Sequence, residues 1–486
     1  MIVTENDMSG TEPGLLIGGD FRTSNSRPRA EIVNPCTEEV LWTAPSAGPE
    51  DVAEALRHAR AALTSWSAVH GWERAKVLRR IARAMEGRKA EIARALSLEI
   101  GRPLSQSEGE VNIAIEQFDW FAGEAERLFG ETIPSRQGGR LQAVPEPVGI
   151  VAAFTAWNFP VNLIARKIAP ALAAGCPIIC RPSEQTPLTS TLIALSCVEG
   201  GAPAGVVQML HGRADTVTPL LMAADEVRKI SLTGSTRVGQ MLLAEAAKTV
   251  KRASMELGGH APVVICEDSD VEAAAAQCAA FKFRNAGQVC IAPNRFYVHE
   301  SVAERFTDGM VSAAKALVVG DSQDAATTMG PLTLASQRDR VEKLCDETVA
   351  DGARCLTGGR RPASRNKGFF FEPTVLADVP DGARIMREEP FGPLAPIATF
   401  RDLDDAIERS NSTPYGLAAY AFTGSQKKAE ALSRGLQSGM VGINTFMIAH
   451  AEAPFGGINH SGMGREGGRQ AINDYLNVKM THFMAA

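Results

Sequence analysis

Val148-Gly-Ile-Val-Ala-Ala-Phe154 is a short apolar run with no polar face, the pattern of a strand covered on both sides in a parallel sheet. The residues after it repeat one theme. Val161 to Ala174 has helical spacing and stops at Gly175. Pro177 to Cys180, Gly205 to Leu210 and Val227 to Leu232 read as further strands. Thr189 to Val198, Asp215 to Ala224 and Val238 to Thr249 read as helices between and after them. Strands separated by helical stretches of this length imply βαβ units and a doubly wound α/β domain. In such sheets ligands bind outside the carboxyl ends of the strands.

Upstream, residues 14–48 carry short strand-and-turn patterns, and Pro49-Glu-Asp51 opens a helix with apolar residues at Val52, Leu56 and Leu63. Trp72 to Ile100 and Ser105 to Phe129 continue as helices, separated by Gly101-Arg-Pro103. Their arginines and glutamates read as solvated faces. Gly130 to Pro147 is polar and punctuated by Pro134, Pro145 and Pro147; it reads as a hairpin standing off the body. Asn477 to Phe483 is a strand that could pair with it, in the same chain or across a subunit boundary. The second half keeps an α/β character, with helices at Val302 to Leu317 and Leu334 to Asp351 and a late strand at Gly439 to Asn444.

Composition sets outer bounds. At 486 residues the chain predicts two or three domains. A net charge of -6 gives no basic footprint for nucleic acid. No apolar run is long enough to span a bilayer. Nine cysteines without a paired framework, and no signal-type stretch, read as a reducing, cytoplasmic setting. Met1 to Pro13 reads as a loose tail. With no HExxH, paired CxxC or EF-hand loop, no metal site is expected.

Several strand ends carry reactive residue types. After Phe154 comes Thr155-Ala-Trp-Asn-Phe-Pro160, in which the Asn158 amide could steady an oxyanion or merely shape a turn. Cys180-Arg-Pro-Ser-Glu184 places a carboxylate where ribose hydroxyls bind, though an Arg–Glu pair is also a common surface feature. Thr233-Gly-Ser-Thr-Arg-Val-Gly239 could present backbone N–H groups to a pyrophosphate, or simply cap a helix. In Met255-Glu-Leu-Gly-Gly259 an acid sits among apolar residues, a setting that raises its pKa and makes a general base. Cys290 closes Phe281-Lys-Phe-Arg-Asn-Ala-Gly-Gln-Val-Cys290, a loop between a helix and a strand. Such a thiol is placed to react, whereas most free cysteines are small buried apolar residues.

Taken in order, Ala156-Trp-Asn-Phe-Pro160, Arg181-Pro-Ser-Glu184, Thr233-Gly-Ser-Thr236, Glu256-Leu-Gly-Gly259, Gly287-Gln-Val-Cys290, Glu388-Glu-Pro-Phe-Gly-Pro393 and Pro454-Phe-Gly-Gly457 resemble the motif series of the NAD(P)-dependent aldehyde dehydrogenases, over nearly the whole chain from about residue 15. The resemblance is nearest to the succinate-semialdehyde subgroup. It implies a doubly wound cofactor domain (residues 1–130 and 148–257), an α/β catalytic domain (258–457) and a small β oligomerisation arm (131–147 and 472–486). It makes Cys290 the nucleophile, Glu256 the general base, Asn158 with the Cys290 N–H an oxyanion hole, and Lys167 an active-site lysine. On the cofactor side it implies Trp157, Arg181, Ser183, Glu184, Gly234, Ser235, Gly258, Glu389 and Phe391. The family usually has lysine at Arg181; Glu184 repels a 2′-phosphate, so the reading favours NAD and leaves NADP open. For substrate it points to Arg166 and Arg284 as a carboxylate clamp, with Phe159 and His450 nearby. A serine of that subgroup is replaced by Ala449, which leaves glutarate semialdehyde or another ω-oxo acid open. The expected partners are a small aldehyde and further copies of the chain, as a homodimer or homotetramer. The alternatives are a broad aldehyde dehydrogenase for aromatic or aliphatic substrates, and a non-catalytic relative lacking the nucleophile or base.

Overall fold

The computed structural model describes residues 10–23 and 27–484, so the tail before Gly10 lies outside the described residues. Among those residues the strands form four sheets. The largest has eight strands in the order Gly462–Met463, Arg252–Glu256, Val227–Thr233, Ile150–Phe154, Ile178–Arg181, Val207–Met209, Leu15–Ile17 and Asp20–Arg22. The middle five, from Arg252–Glu256 to Val207–Met209, are parallel; the outer strands run antiparallel. Strand order reverses at Ile150–Phe154, which is the switch point where a crevice opens.

The opening run shows why this sheet is doubly covered. Val151 and Ala153 pack into a core with the helices of residues 71–125, while Ile150, Ala152 and Phe154 face a second core with Leu232 and Leu242. Successive side chains of a strand point to opposite faces, so a run apolar at every position needs cover on both. Register then sets the rim of the sheet. Phe154 lies opposite both Leu232 and Arg181, and Thr233 lies opposite Glu256. The flagged motifs therefore leave the sheet at nearly one level.

A seven-stranded sheet follows, ordered Arg354–Thr357, Thr374–Ala377, Leu394–Phe400, Pro293–His299, Ala261–Ile265, Ala418–Phe422 and Met440–Ile443. All neighbours are parallel except the first pair. The arm is a three-stranded sheet of Glu131–Pro134, Arg140–Pro147 and Leu476–Phe483. Of the two pairings left open above, the one within the chain is formed, with Leu476 opposite Pro147 and Phe483 opposite Arg140. Ile472 and Tyr475 still pack in the helical core, so the arm strand begins four residues later than the sequence boundary.

Two sequence readings are corrected. The helix expected from Trp72 to Ile100 is two helices, Gly71–Gly87 and Lys89–Ile100. They break at Arg88 (φ -103°, ψ 8°), just after Gly87, a weak helix former. The charged residues of this region are not all solvated: Glu99, Arg102, Glu110 and Glu124 are buried.

Candidate active site

The carboxyl rims of the two large sheets enclose a cavity of about 590 Å³. The first sheet contributes Trp157, Asn158, Phe159, Arg166, Gly234, Ser235 and Gly258 to its wall; the second unit contributes Arg284, Cys290, Glu389 and Phe391. Phe446 and Phe455 complete an apolar end, and Gln337, Arg340 and Tyr415 stand on the Glu389 side. Neither Phe446 nor Tyr415 carries a sequence signal that separates it from core aromatics.

Cys290 follows the helix Val271–Phe283 through a tight turn. Asn285, Ala286 and Gly287 have φ of 50°, 52° and 76° in succession, a left-handed run that non-glycine residues rarely adopt. At Gly287 a side-chain carbon would stand 2.1 Å from the Gly392 carbonyl oxygen, so the loop can lie against the Glu389–Pro393 segment only with glycine there. The turn is held from within and without. Gln288 Nε2 donates to the Asn285 carbonyl (2.9 Å), Thr333 N–H donates to Gln288 Oε1 (2.9 Å), and Asn285 N–H donates to Gln106 Oε1 (3.0 Å). The Cys290 thiol is partly open to the cavity. Burial, then the charges of Glu389 and Glu256, push its pKa up to about 12, while Arg166 pulls it down. An acid this weak holds its proton until something in the cavity takes it.

Asn158 stands just before the helix Pro160–Ala174. Its Nδ2 donates to the Gln288 carbonyl at 3.1 Å, and its own carbonyl accepts from Asn285 Nδ2 at 3.1 Å. The amide thus spans from the first sheet to the nucleophile loop. Two turns into that helix, Arg166 is 1% exposed, and none of its three guanidinium nitrogens has a hydrogen-bond partner. It lies over the Phe455 ring at 4.4 Å, and burial lowers its pKa. That burial takes Arg166 off the solvated face of its helix. Arg284 faces the same cavity across Phe159 and Phe281, at 5.3 and 4.8 Å from their ring centres.

Glu256 ends its strand buried, and neither carboxylate oxygen has a hydrogen-bond partner. Its Oε1 lies 2.6 Å from where a side-chain carbon on Gly456 would stand, so the carboxylate is turned beside the Pro454–Gly457 segment and does not line the cavity. Burial, then the neighbouring Glu466, hold its pKa well above the ordinary carboxylate range. Lys167 is likewise off the cavity wall: its Nζ is ion-paired with Glu466 and donates to Thr233 Oγ1 at 2.8 Å. Glu466 has no sequence signal of its own, since it stands inside the glycine-rich run Ser461-Gly-Met-Gly-Arg-Glu-Gly467.

The cofactor-side residues fall into two groups. Ser235 caps the helix Thr236–Ala247, whose first N–H groups open on the cavity beside Gly234; this small-residue cradle fits a pyrophosphate. Glu389 is half-buried, and the desolvation raises its pKa to about 8; Phe391 meets Trp157 edge-on at 5.7 Å. Arg181, Ser183 and Glu184 lie outside the cavity wall, Arg181 at the end of the neighbouring strand and the other two just beyond it. Arg181 is ion-paired with Glu184 and donates through Nη2 to the Gly212 carbonyl at 2.9 Å; Glu184 also accepts from the Ala214 N–H at 3.0 Å. His450 is turned away from the cavity, its side chain 44% exposed and Nε2 bonded to the Met447 carbonyl. Ala449 takes the wall position instead.

A doubly wound sheet whose switch point opens on a thiol, an amide and a phosphate-type helix start describes a cysteine-dependent dinucleotide enzyme. The model of the aldehyde dehydrogenase family matches residues 21–481, and the chain belongs to that family. It is 40% identical over 475 residues to the NADP(+) succinate-semialdehyde dehydrogenase of Escherichia coli K12, covering 98% of each chain. It is also 40% identical to a 3-sulfolactaldehyde dehydrogenase of Pseudomonas putida, covering 96% of this chain and 97% of that one. Among solved structures it resembles a betaine aldehyde dehydrogenase of Staphylococcus aureus in complex with NAD+, with a TM-score of 0.95 at 34% identity, covering 98% and 95%. The protein is an NAD(P)-dependent aldehyde dehydrogenase.

Proposed function

We propose that this chain oxidises a short ω-oxo acid, of the succinic or glutaric semialdehyde class, to the dicarboxylic acid. The observation that carries this reading is Arg166: a guanidinium 1% exposed, facing the nucleophile's cavity, with no hydrogen-bond partner. A buried charge without a partner is costly, and a substrate carboxylate supplies the missing acceptor. Arg284 across the cavity offers a second cation. The broad aldehyde dehydrogenase reading leaves both unexplained, and the non-catalytic reading is opposed by the presence of Cys290, Glu256 and Asn158.

The chemistry follows from these side chains. The substrate carboxylate on Arg166 and Arg284 holds the aldehyde carbon at Cys290. The thiol proton passes to water in the cavity as the sulfur attacks the aldehyde carbon, and the new oxyanion is taken by the Asn158 Nδ2–H and the Cys290 N–H. NAD(P), bound against Gly234, Ser235 and Gly258 with Glu389, Phe391 and Trp157 around it, supplies the hydride acceptor. The resulting thioester is released by water. Glu256, made a stronger base by the burial that raises its pKa, removes the water proton after turning toward Cys290. Lys167, paired with Glu466, acts by holding the charge balance behind Glu256.

On this reading the unit built on the eight-stranded sheet binds the cofactor and the seven-stranded unit carries the nucleophile. NAD is preferred, because Arg181 is committed to Glu184 and Gly212 and offers no free fork to a 2′-phosphate. The arm is an assembly element: a three-stranded sheet with Val478 and Met480 exposed has no core of its own, so a dimer or tetramer covers it. The nine free cysteines fit a cytoplasmic setting. The test is the initial rate with succinic semialdehyde against butyraldehyde, each with NAD and NADP. Strong preference for the acid supports the clamp; equal or faster turnover of butyraldehyde removes it and leaves the Cys290 chemistry standing.

A further inference from the structure

We propose that one face of the helix Leu104–Glu126 is a spacer that sets the Asn158 amide against the Cys290 loop, with Glu110 as its positioning residue and Arg102 as the ion-pair partner of Glu110. This rests on the oxyanion role given to Asn158 above.

Gln106 and Glu110 are four residues apart and share one helix face. Each reaches a different half of the reaction centre. Gln106 Oε1 accepts from the Asn285 N–H at 3.0 Å, gripping the left-handed turn that leads to Cys290. Glu110 Oε1 accepts from the N–H groups of Val161 and Asn162 at 2.8 and 2.9 Å. Those donors belong to the first turn of the helix Pro160–Ala174, whose own preceding residue, Phe159, supplies no side-chain cap. Glu110 is therefore that helix's remote cap, and the helix begins two residues after Asn158. One rigid element thus holds both the thiol loop and the amide that must face it.

The remaining contacts tighten the same point. Arg102 is ion-paired with Glu110, both side chains 1% exposed. Its guanidinium lies over the Phe159 ring at 4.7 Å, and Nη1 reaches the Asn158 carbonyl at 3.5 Å. Phe159 is also faced by Arg284, so the residue beside Asn158 is held between the spacer and the cavity cation. Nothing in this set touches the reacting atoms except Asn158 itself. Its effect is on where the amide stands when charge develops on oxygen, and a displacement of about 1 Å at such a donor costs on the order of 100-fold in rate.

The experiment compares two double variants, each free of an unpaired buried charge. Glu110→Gln with Arg102→Met keeps an oxygen for the Val161 and Asn162 N–H groups; Glu110→Met with Arg102→Met removes it. For each, kcat and KM for the aldehyde are measured alongside the rate of Cys290 alkylation by iodoacetamide, followed on the Cys290 peptide. Alkylation develops no oxyanion, so it reports the thiol loop alone. The expected result is kcat within about threefold of wild type for the Gln/Met protein, and a drop of roughly 30- to 100-fold for the Met/Met protein at little-changed KM and alkylation rate. Equal loss in kcat and alkylation, or wild-type kcat in the Met/Met protein, overturns the proposal. Asn158→Ala is run beside them. If it lowers kcat while Met/Met does not, only the spacer is wrong; if it leaves kcat unchanged, the oxyanion reading falls and the spacer with it.

Discussion

Arg102 and Arg166 are both buried, 2% and 1% exposed, yet their surroundings are opposite. Arg102 has an ion pair with Glu110, a carbonyl and an aromatic face. Arg166 has an aromatic face and no acceptor at all. A buried charge that is answered by the fold is a structural part. One that the fold leaves unanswered is stabilised by what enters the cavity, because the desolvation cost persists until a ligand supplies the partner. The contrast separates scaffold from site without reference to motifs: the Arg102 charge has its carboxylate in the free protein, and the Arg166 charge on the cavity wall has none.

The most severe way to break that division is at the thiol. Cys290→Ala should lower kcat on the order of 10⁴-fold or more, read as initial rate of reduced-nicotinamide formation; residual turnover near wild type would mean that the cavity is not the reaction chamber. The two arginines should then part company. Arg102→Met alone leaves Glu110 buried and unpaired, and should cost about 3–5 kcal/mol in urea unfolding. Arg166→Met removes a charge that had no partner, and should leave stability unchanged or raise it by about 1–4 kcal/mol. A loss for both would make Arg166 structural too. The same Arg166→Met protein should lose about 100-fold in kcat/KM for succinic semialdehyde, roughly 2.7 kcal/mol, with butyraldehyde affected less than about threefold. The smallest effect is on pH. With the Cys290 pKa near 12 in the free enzyme, the reactive thiolate is still gaining as pH rises, so alkylation should climb about tenfold per pH unit through pH 10. An ordinary thiol, with a pKa of about 8.5, would level off before that.

Much of the fold was legible because the buried parallel strands announce themselves. Ile150–Phe154 is apolar at every position, and the helices between it and Glu256 fall where their spacing puts them. The second sheet was less visible. Leu394–Phe400 carries Pro396 inside a strand paired on both sides, which argues against a strand by every local rule. Ala418–Phe422 is too alanine-rich to be told from a helix. For the site, the motifs at the strand ends are local in sequence, and register is what brings them to one rim: Phe154 lies opposite Leu232 and Arg181, and Thr233 opposite Glu256. Lys167, Glu256, Arg181, Ser183, Glu184 and His450 do not line the cavity, and Glu110, which does, carries no signal in the sequence that separates it from a solvated helix face. A charged residue looks alike in sequence whether its side chain meets water or a buried partner hundreds of residues away, as Lys167 meets Glu466.

The sequence by itself determined the doubly wound half and the family, because strand periodicity and short-range loop chemistry are local properties. Only the tertiary structure decided which charges are answered. It paired Arg102 with Glu110, left Arg166 bare, turned Glu256 beside Gly456 and brought the arm's last strand back to its own chain. Those outcomes depend on burial and on contacts between distant segments, and the energy of a charge is set by what surrounds it once the chain has closed.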